Sequence, residues 1–91
     1  MTYHVKWSNA AFKSMKLLDA QTNHLIRAWV RNNLEGCENP RTIVGGKSLH
    51  GKKDGWRYRV GSYRILATIV DKELKIRIIR VGHRQGVYNK L

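Results

Sequence analysis

Near the start of the chain, apolar Tyr3, Val5 and Trp7 alternate with His4 and Lys6, the period-two pattern of a short strand. The period then changes. Ala11, Phe12, Met15 and Leu18 recur at helical spacing, and Ser8 or Asn9 can satisfy the N–H groups of a first turn, so a helix running to about Leu18 is expected. Asp19 and Thr22 each offer an N-cap for a second helix, whose Leu25, Ile26, Trp29, Val30 and Leu34 make an apolar stripe that stops at Gly36. Joined by so short a connection, the helices form a hairpin. Their stripes, Met15 and Trp29 included, read as core.

From Gly36 to Asp54 no period is sustained. This stretch holds the only proline, Pro40, the pair Gly45-Gly46 and the basic residues Lys47, Lys52 and Lys53. A connection that long inside a small domain is either a functional loop or a solvated one, with Leu49 as its candidate anchor to the core. Alternation returns in three segments, roughly Trp56 to Val60, Tyr63 to Val70 and Leu74 to Val81. Gly61-Ser62 reads as a two-residue type II′ turn, which sets Val60 opposite Tyr63 and Arg59 opposite Arg64. Asp71-Lys72 or Lys72-Glu73 makes the next turn, and either choice pairs even-numbered residues of the middle strand with odd-numbered ones of the last.

On that register one face collects Trp56, Tyr58, Val60, Tyr63, Ile65, Ala67, Ile69, Leu74, Ile76 and Ile78, suited to packing on the helix hairpin. The other collects Arg57, Arg59, Arg64, Lys75 and Arg77, with Leu66, Thr68, Val70, Ile79, Val81 and then His83 beside them. Arg80 falls on the apolar parity and is expected to snorkel to the sheet edge. The expected fold is therefore α+β, a single domain over 1–91. It comprises an N-terminal strand, a helix hairpin and a three-stranded antiparallel meander, forming one sheet with the helices on one face.

Composition narrows the partners. In 91 residues, 18 Lys and Arg stand against 6 Asp and Glu, a formal charge of +12, which favours nucleic acid first and an acidic protein second. The single cysteine, Cys37, has no internal disulfide partner, which fits a reducing cytoplasm and an incidental thiol. No apolar run approaches the ~20 residues of a membrane span, and the alternating first residues do not resemble a secretory signal. A cytoplasmic protein without membrane attachment is expected. The carboxylates Asp19, Glu35, Glu38, Asp54, Asp71 and Glu73 lack ligand spacing, and Gly45-Gly46-Lys47 lacks the flanking pattern of a phosphate loop. No metal or cofactor is expected, and metal-dependent nuclease and nucleotide-hydrolase readings fall away.

What remains is a cluster of guanidiniums with one imidazole and one phenol. Like charges placed directly opposite across strands are destabilising, so Arg59 facing Arg64 implies an anion to receive, with phosphate the obvious candidate. RNA carries its own nucleophile, the 2′-hydroxyl, and needs no metal if that oxygen is held in line and the phosphorane charge is neutralised. His83 belongs to the residue type suited to proton transfer near neutral pH. Tyr88 can stack on a base or hand a proton to the leaving oxygen. The plainer readings are a surface histidine, a packed tyrosine, and arginines 57 and 59 that bind phosphate without chemistry. These residues alone lead to a basic α+β domain that binds RNA or an acidic protein.

The ordered set Asn39-Pro40-Arg41, Gly-Trp-Arg-Tyr-Arg-Val-Gly-Ser-Tyr-Arg at 55 to 64, and Val-Gly-His-Arg from 81 with Val87-Tyr88 resembles the RelE/ParE superfamily of bacterial toxins. The resemblance covers nearly the whole chain and is most specific in its last third. For RelE-type members it implies an endoribonuclease that enters the ribosomal decoding site and cleaves mRNA through 2′-hydroxyl attack. It also implies a RelB-like acidic antitoxin that holds the toxin inactive in a hetero-oligomer. By position, Arg57 and Arg59 match residues that hold RNA and stabilise the transition state, and Arg64 matches the arginine on the scissile phosphate. Arg84 matches an arginine acting on the leaving group, and Tyr88 an aromatic that stacks and assists deprotonation. His83 stands where some members have lysine. Lys47, Lys52, Lys53 and Arg77 complete the candidate RNA-binding set. Arginines 57 and 59 replace lysines found in some members, and guanidinium does not readily act as a base. The Arg84 to Tyr88 spacing is shorter than in some members. The ParE branch, which poisons DNA gyrase, generally lacks this His/Arg/Tyr ending. Gyrase inhibition is the alternative to the nuclease, and a catalytically silent RNA-binding module is the third reading.

Overall fold

The structure, a computed structural model, describes residues 1–87. Strand β1 (His4–Trp7) leads into helices α1 (Asn9–Lys16) and α2 (Ala20–Asn33), followed by β2 (Gly46–Ser48), β3 (Gly55–Val60), β4 (Tyr63–Val70) and β5 (Lys75–His83). Each helix begins at the first of its two candidate caps. The Ser8 hydroxyl accepts the Ala11 N–H at 3.1 Å and the Asp19 carboxylate accepts the Thr22 N–H at 3.4 Å, satisfying donors that a first helical turn leaves free. Helix α1 stops at Lys16, short of Leu18, and Leu17 is 83% exposed.

The strands form one open sheet in the order β1-β5-β4-β3-β2. Strand β1 runs parallel to β5 and every other pair is antiparallel. On one face, Tyr58, Val60, Ile65, Ala67, Ile76, Ile78 and Val81 pack with Ala11, Met15, Ile26, Val30 and Leu34 of the helix side. Two residues of the expected stripes lie outside this core. Leu25 is 58% exposed, because one helical step, about 100°, separates it from Ile26. Phe12 is 47% exposed and instead stacks on Trp7, with centroids 6.2 Å apart.

The aperiodic segment is not all loop. Gly46–Ser48 forms a strand against β3, with Gly46 opposite Tyr58 and Lys47 opposite Arg57. Three residues without an apolar alternation carry no strand signal, and this strand exists because β3 offers a hydrogen-bonding edge. The pairing needs glycine, since a Cβ on Gly46 would lie 2.7 Å from Trp56 Nε1 and 3.0 Å from the Tyr58 ring. Upstream, the buried Tyr58 hydroxyl donates to the Pro40 carbonyl at 2.7 Å, and burial pushes the phenol pKa up. Arg41 binds both carboxylate oxygens of Asp71 at 3.0 Å, and the Tyr3 hydroxyl donates to the same group at 2.6 Å.

The Gly61-Ser62 turn forms as expected: Gly61 has φ +59° and Val60 faces Tyr63 across it. The β4–β5 register departs from expectation. Val70 to Ala67 pair with Lys75 to Ile78, but Leu66 pairs with Arg80, leaving Ile79 as an extra residue. This β-bulge inverts the parity of everything beyond it. Val81 therefore turns into the core, where it is 3% exposed. His83 pairs with Tyr63 on the helix side, and Arg80 moves to the outer row. The expectation that His83 lies on the arginine face, with Arg80 on the apolar one, is corrected by this single residue.

Gly46→Ala is expected to destabilise the protein by about 1–3 kcal/mol in urea unfolding, through forced displacement of the Trp56 and Tyr58 rings. Acid should also destabilise it. The Glu35 carboxylate accepts from His4 Nδ1 at 2.7 Å and from the Val5 N–H at 3.1 Å, which holds it below the usual carboxylate range. Arg41 and then Tyr3 do the same for Asp71. A carboxyl depressed in the folded state contributes stability that is present at neutral pH and lost as pH falls through the folded value. Thermal unfolding followed between about pH 5 and about pH 3 should show a decline that is shallower in Glu35→Gln and in Asp71→Asn.

Candidate functional site

The register lays the outer-face residues in rows across the sheet. Arg59, Arg64 and Gly82 form the row nearest the β3–β4 turn. The next holds Lys47, Arg57, Leu66 and Arg80. Beyond it come Gly55, Thr68, Arg77 and Lys6, and then Val70, Lys75 and His4. Leu66, in the middle of the second row, is fully buried while Arg57 and Arg80 on either side are half-buried, as expected where the aliphatic stems of arginine lie along an apolar side chain. This outer face is a packed support for cations.

Among the described residues the ion pairs are His4 with Glu35, Arg41 with Asp71 and Lys75 with Glu73. Among the described residues no carboxylate lies within ion-pair distance of Arg57, Arg59, Arg64, Arg77, Arg80 or Arg84. Arg59 and Arg64 are directly paired across β3 and β4, a juxtaposition that raises the energy of the unliganded protein and that an anion would relieve.

Arg64 is the most constrained of these cations. Its Nη1 donates to the carbonyls of Gly61 and Tyr63, each at 3.0 Å, so the guanidinium is held at the hairpin end. The Arg84 N–H donates to the neighbouring Ser62 carbonyl at 2.9 Å, bringing Arg84 to the same turn. Gly82 faces Arg64 from β5, and Val87 closes over it, leaving only 3.2 Å to a hypothetical Cβ on Gly82. Arg59, Arg64 and Arg84 thus converge at one end of the sheet.

Other expected site residues fall elsewhere. Lys52 and Lys53 are exposed in the turn before β3, at the opposite end of that strand from Arg59. His83 stands on the helix side, its ring edge-to-face with Tyr63 at 5.7 Å and 81°. Tyr88 lies outside the described residues. Lys6 and Arg80 join the basic face without having been expected there. Lys6 arrives through parallel pairing of β1 with β5, and Arg80 through the bulge; neither event leaves a mark in local periodicity. Cys37 is half-buried, and burial pushes its thiol up. Among the described residues no group of three His, Cys, Asp or Glu is placed to hold a metal ion, and no helix is long and apolar enough to cross a membrane.

Comparison with known proteins agrees with this geometry. The family model for the ParE toxin of type II toxin-antitoxin systems, parDE, matches residues 5–88. Among solved structures, the toxin-antitoxin complex RelBE2 from Mycobacterium tuberculosis is similar at 25% identity and a TM-score of 0.79, covering 92% of this chain and 93% of that one. The archaeal RelE-RelB complex from Pyrococcus horikoshii is similar at 27% identity and 0.72, covering 94% and 99%. The isolated E. coli RelE toxin, at 22% identity, shares the fold with a TM-score of 0.71 over 98% of this chain and 94% of that one. No curated protein sequence matches.

The opposed arginines generate a two-part expectation. Arg59→Ala should leave the melting temperature of the free protein unchanged or slightly raised, since it removes a like-charge contact, and should weaken retention of single-stranded RNA in a filter-binding assay. A large fall in melting temperature would reveal a structural partner of Arg59 and refute the like-charge account.

Proposed function

We propose that this chain, which belongs to the ParE toxin family of type II toxin-antitoxin systems, acts as a metal-independent endoribonuclease that cleaves mRNA at the ribosomal decoding site. The observation that carries the reading is the convergence of Arg59, Arg64 and Arg84 at one end of the sheet, continuous with Lys47, Arg57 and Arg80. The similarity to RelE toxins supports it. In this reading the outer rows hold the RNA backbone, and Arg64, already fixed at the turn, grips the scissile phosphate. The 2′-oxygen attacks phosphorus and loses its proton. The 5′-oxygen leaves and gains one, while Arg64 and Arg84 balance the charge on the phosphorane. Tyr88 remains the candidate, on sequence grounds, for handling these protons. His83 faces the other side of the sheet and is given no proton-transfer step.

Control of such a toxin falls to a partner. The M. tuberculosis and P. horikoshii structures are toxin-antitoxin complexes, and the +12 charge of this chain suits an acidic, RelB-like antitoxin assembling with it as a hetero-oligomer in the cytoplasm. A second reading, inhibition of DNA gyrase, is favoured by the family model itself, whose description is that of ParE.

Primer extension on mRNA from cells briefly induced for the protein separates the two. New 5′ ends confined to translated regions are expected, and Arg64→Ala or Arg84→Ala should each reduce them by about 10²–10³-fold, the usual effect of removing one transition-state charge partner. Intact message accompanied by growth arrest and DNA breaks would move the assignment to gyrase.

A further inference from the structure

The bulge that turns His83 away from the arginines also builds a second feature. On the helix side, at the same end of the sheet, a cleft of about 310 Å³ opens between the C-terminal end of α1 and the end of β5. His83 and Tyr63 supply aromatic walls, and Leu17, Leu18 and Val87 apolar ones. The volume lies at the lower end of small-ligand sites. Among the described residues no carboxylate lines the cleft. The lining is therefore aromatic and apolar, the chemistry that receives unstacked bases of single-stranded RNA.

Position supplies the rest of the argument. His83 is followed directly by Arg84, and Tyr63 by Arg64, on paired strands. Alternation along β4 sends Tyr63 and Arg64 to opposite sides of the sheet, and Arg84 begins the turn after β5 with its N–H on the Ser62 carbonyl, so the phosphate-binding and aromatic groups meet at the same sheet end. The Gln85 N–H approaches His83 Nδ1 at 3.4 Å, leaving Nε2 for a ligand. We propose that this cleft receives one base of the bound RNA, stacked on His83 beside the phosphate held by Arg64 and Arg84, and so contributes base preference to cleavage. The proposal deepens the ribonuclease reading and rests on it, with His83 as a binding residue.

A 2′-O-methyl RNA tetranucleotide, which lacks the attacking hydroxyl, tests this with the full-length chain. It carries 2-aminopurine at each position in turn, and thermal unfolding confirms that each variant is folded. Fluorescence quenching at one position is expected with wild type and with His83→Phe, which keeps a stacking ring but has no titratable nitrogen. His83→Ala should bind about tenfold more weakly and lose the quenching. An abasic site at that position should abolish the difference between wild type and His83→Ala, as coupling between base and ring requires. Equal binding by wild type and His83→Ala, a deficit that survives every abasic substitution, or no binding by wild type would overturn the proposal. Unchanged RNA binding with lost neutralisation by the antitoxin in His83→Ala would assign the cleft to the partner protein instead. Failure of the ribonuclease reading is separate: it is an oligonucleotide that stacks as expected while ribosome-bound mRNA stays intact.

Discussion

The pairing of β4 with β5 is the constraint on which the rest of the molecule depends. Strand β4 lies at the centre of the sheet and β5 joins it to β1, so any shift in their register is felt on both faces. That register carries one extra residue, Ile79, opposite the Leu66/Ala67 step. Before it, Ile76 and Ile78 pack inward; after it, Val81 does. Without the bulge Val81 would face solvent and Arg80 the core, exchanging an apolar burial for a buried charge. The bulge therefore satisfies the core and at the same time sorts the end of the sheet that holds the candidate site, with arginines on one side and the His83–Tyr63 pair on the other.

The two faces are stabilised on different terms. The helix side is an ordinary apolar core, with Ala11, Ile26, Leu34, Ile65, Ile76 and Ile78 fully buried. The outer side is a layer of cations over a fully buried Leu66, with Arg59 and Arg64 opposed and no carboxylate in reach of either among the described residues. The free protein carries this repulsion as a standing penalty. Any polyanion or acidic chain that covers the face removes it, so the proposed binding of RNA and an antitoxin would draw on the same store of unfavourable charge.

The long connection between α2 and β3 is held by specific polar contacts as well as by hydrophobic ones. Tyr58 reaches Pro40 through a buried hydrogen bond, and Arg41 reaches Asp71 beside Tyr3. These ties draw the Asn39-Pro40-Arg41 turn against the sheet, and Gly46 then enters the space under the Trp56 and Tyr58 rings. Lys47 reaches the outer face beside Arg57 as a result.

Much was legible in the sequence because it is local. Helix caps at Ser8 and Asp19, the Gly61-Ser62 turn and the opposition of Arg59 to Arg64 each follow from chemistry within a few residues, and the ordered motifs of the last third carried the family. Leu25 and Phe12 were misplaced because helical periodicity defines a stripe more broadly than packing does. Strand β3, second from the sheet edge, was readable from its own alternation, whereas the edge strand β2 was not, since three residues become a strand only when a neighbour offers an edge. The position of His83 required the tertiary structure for the same reason. A bulge is a property of two paired strands, its stability set by which side chains each register buries, and a period counted along one strand contains no term for the other.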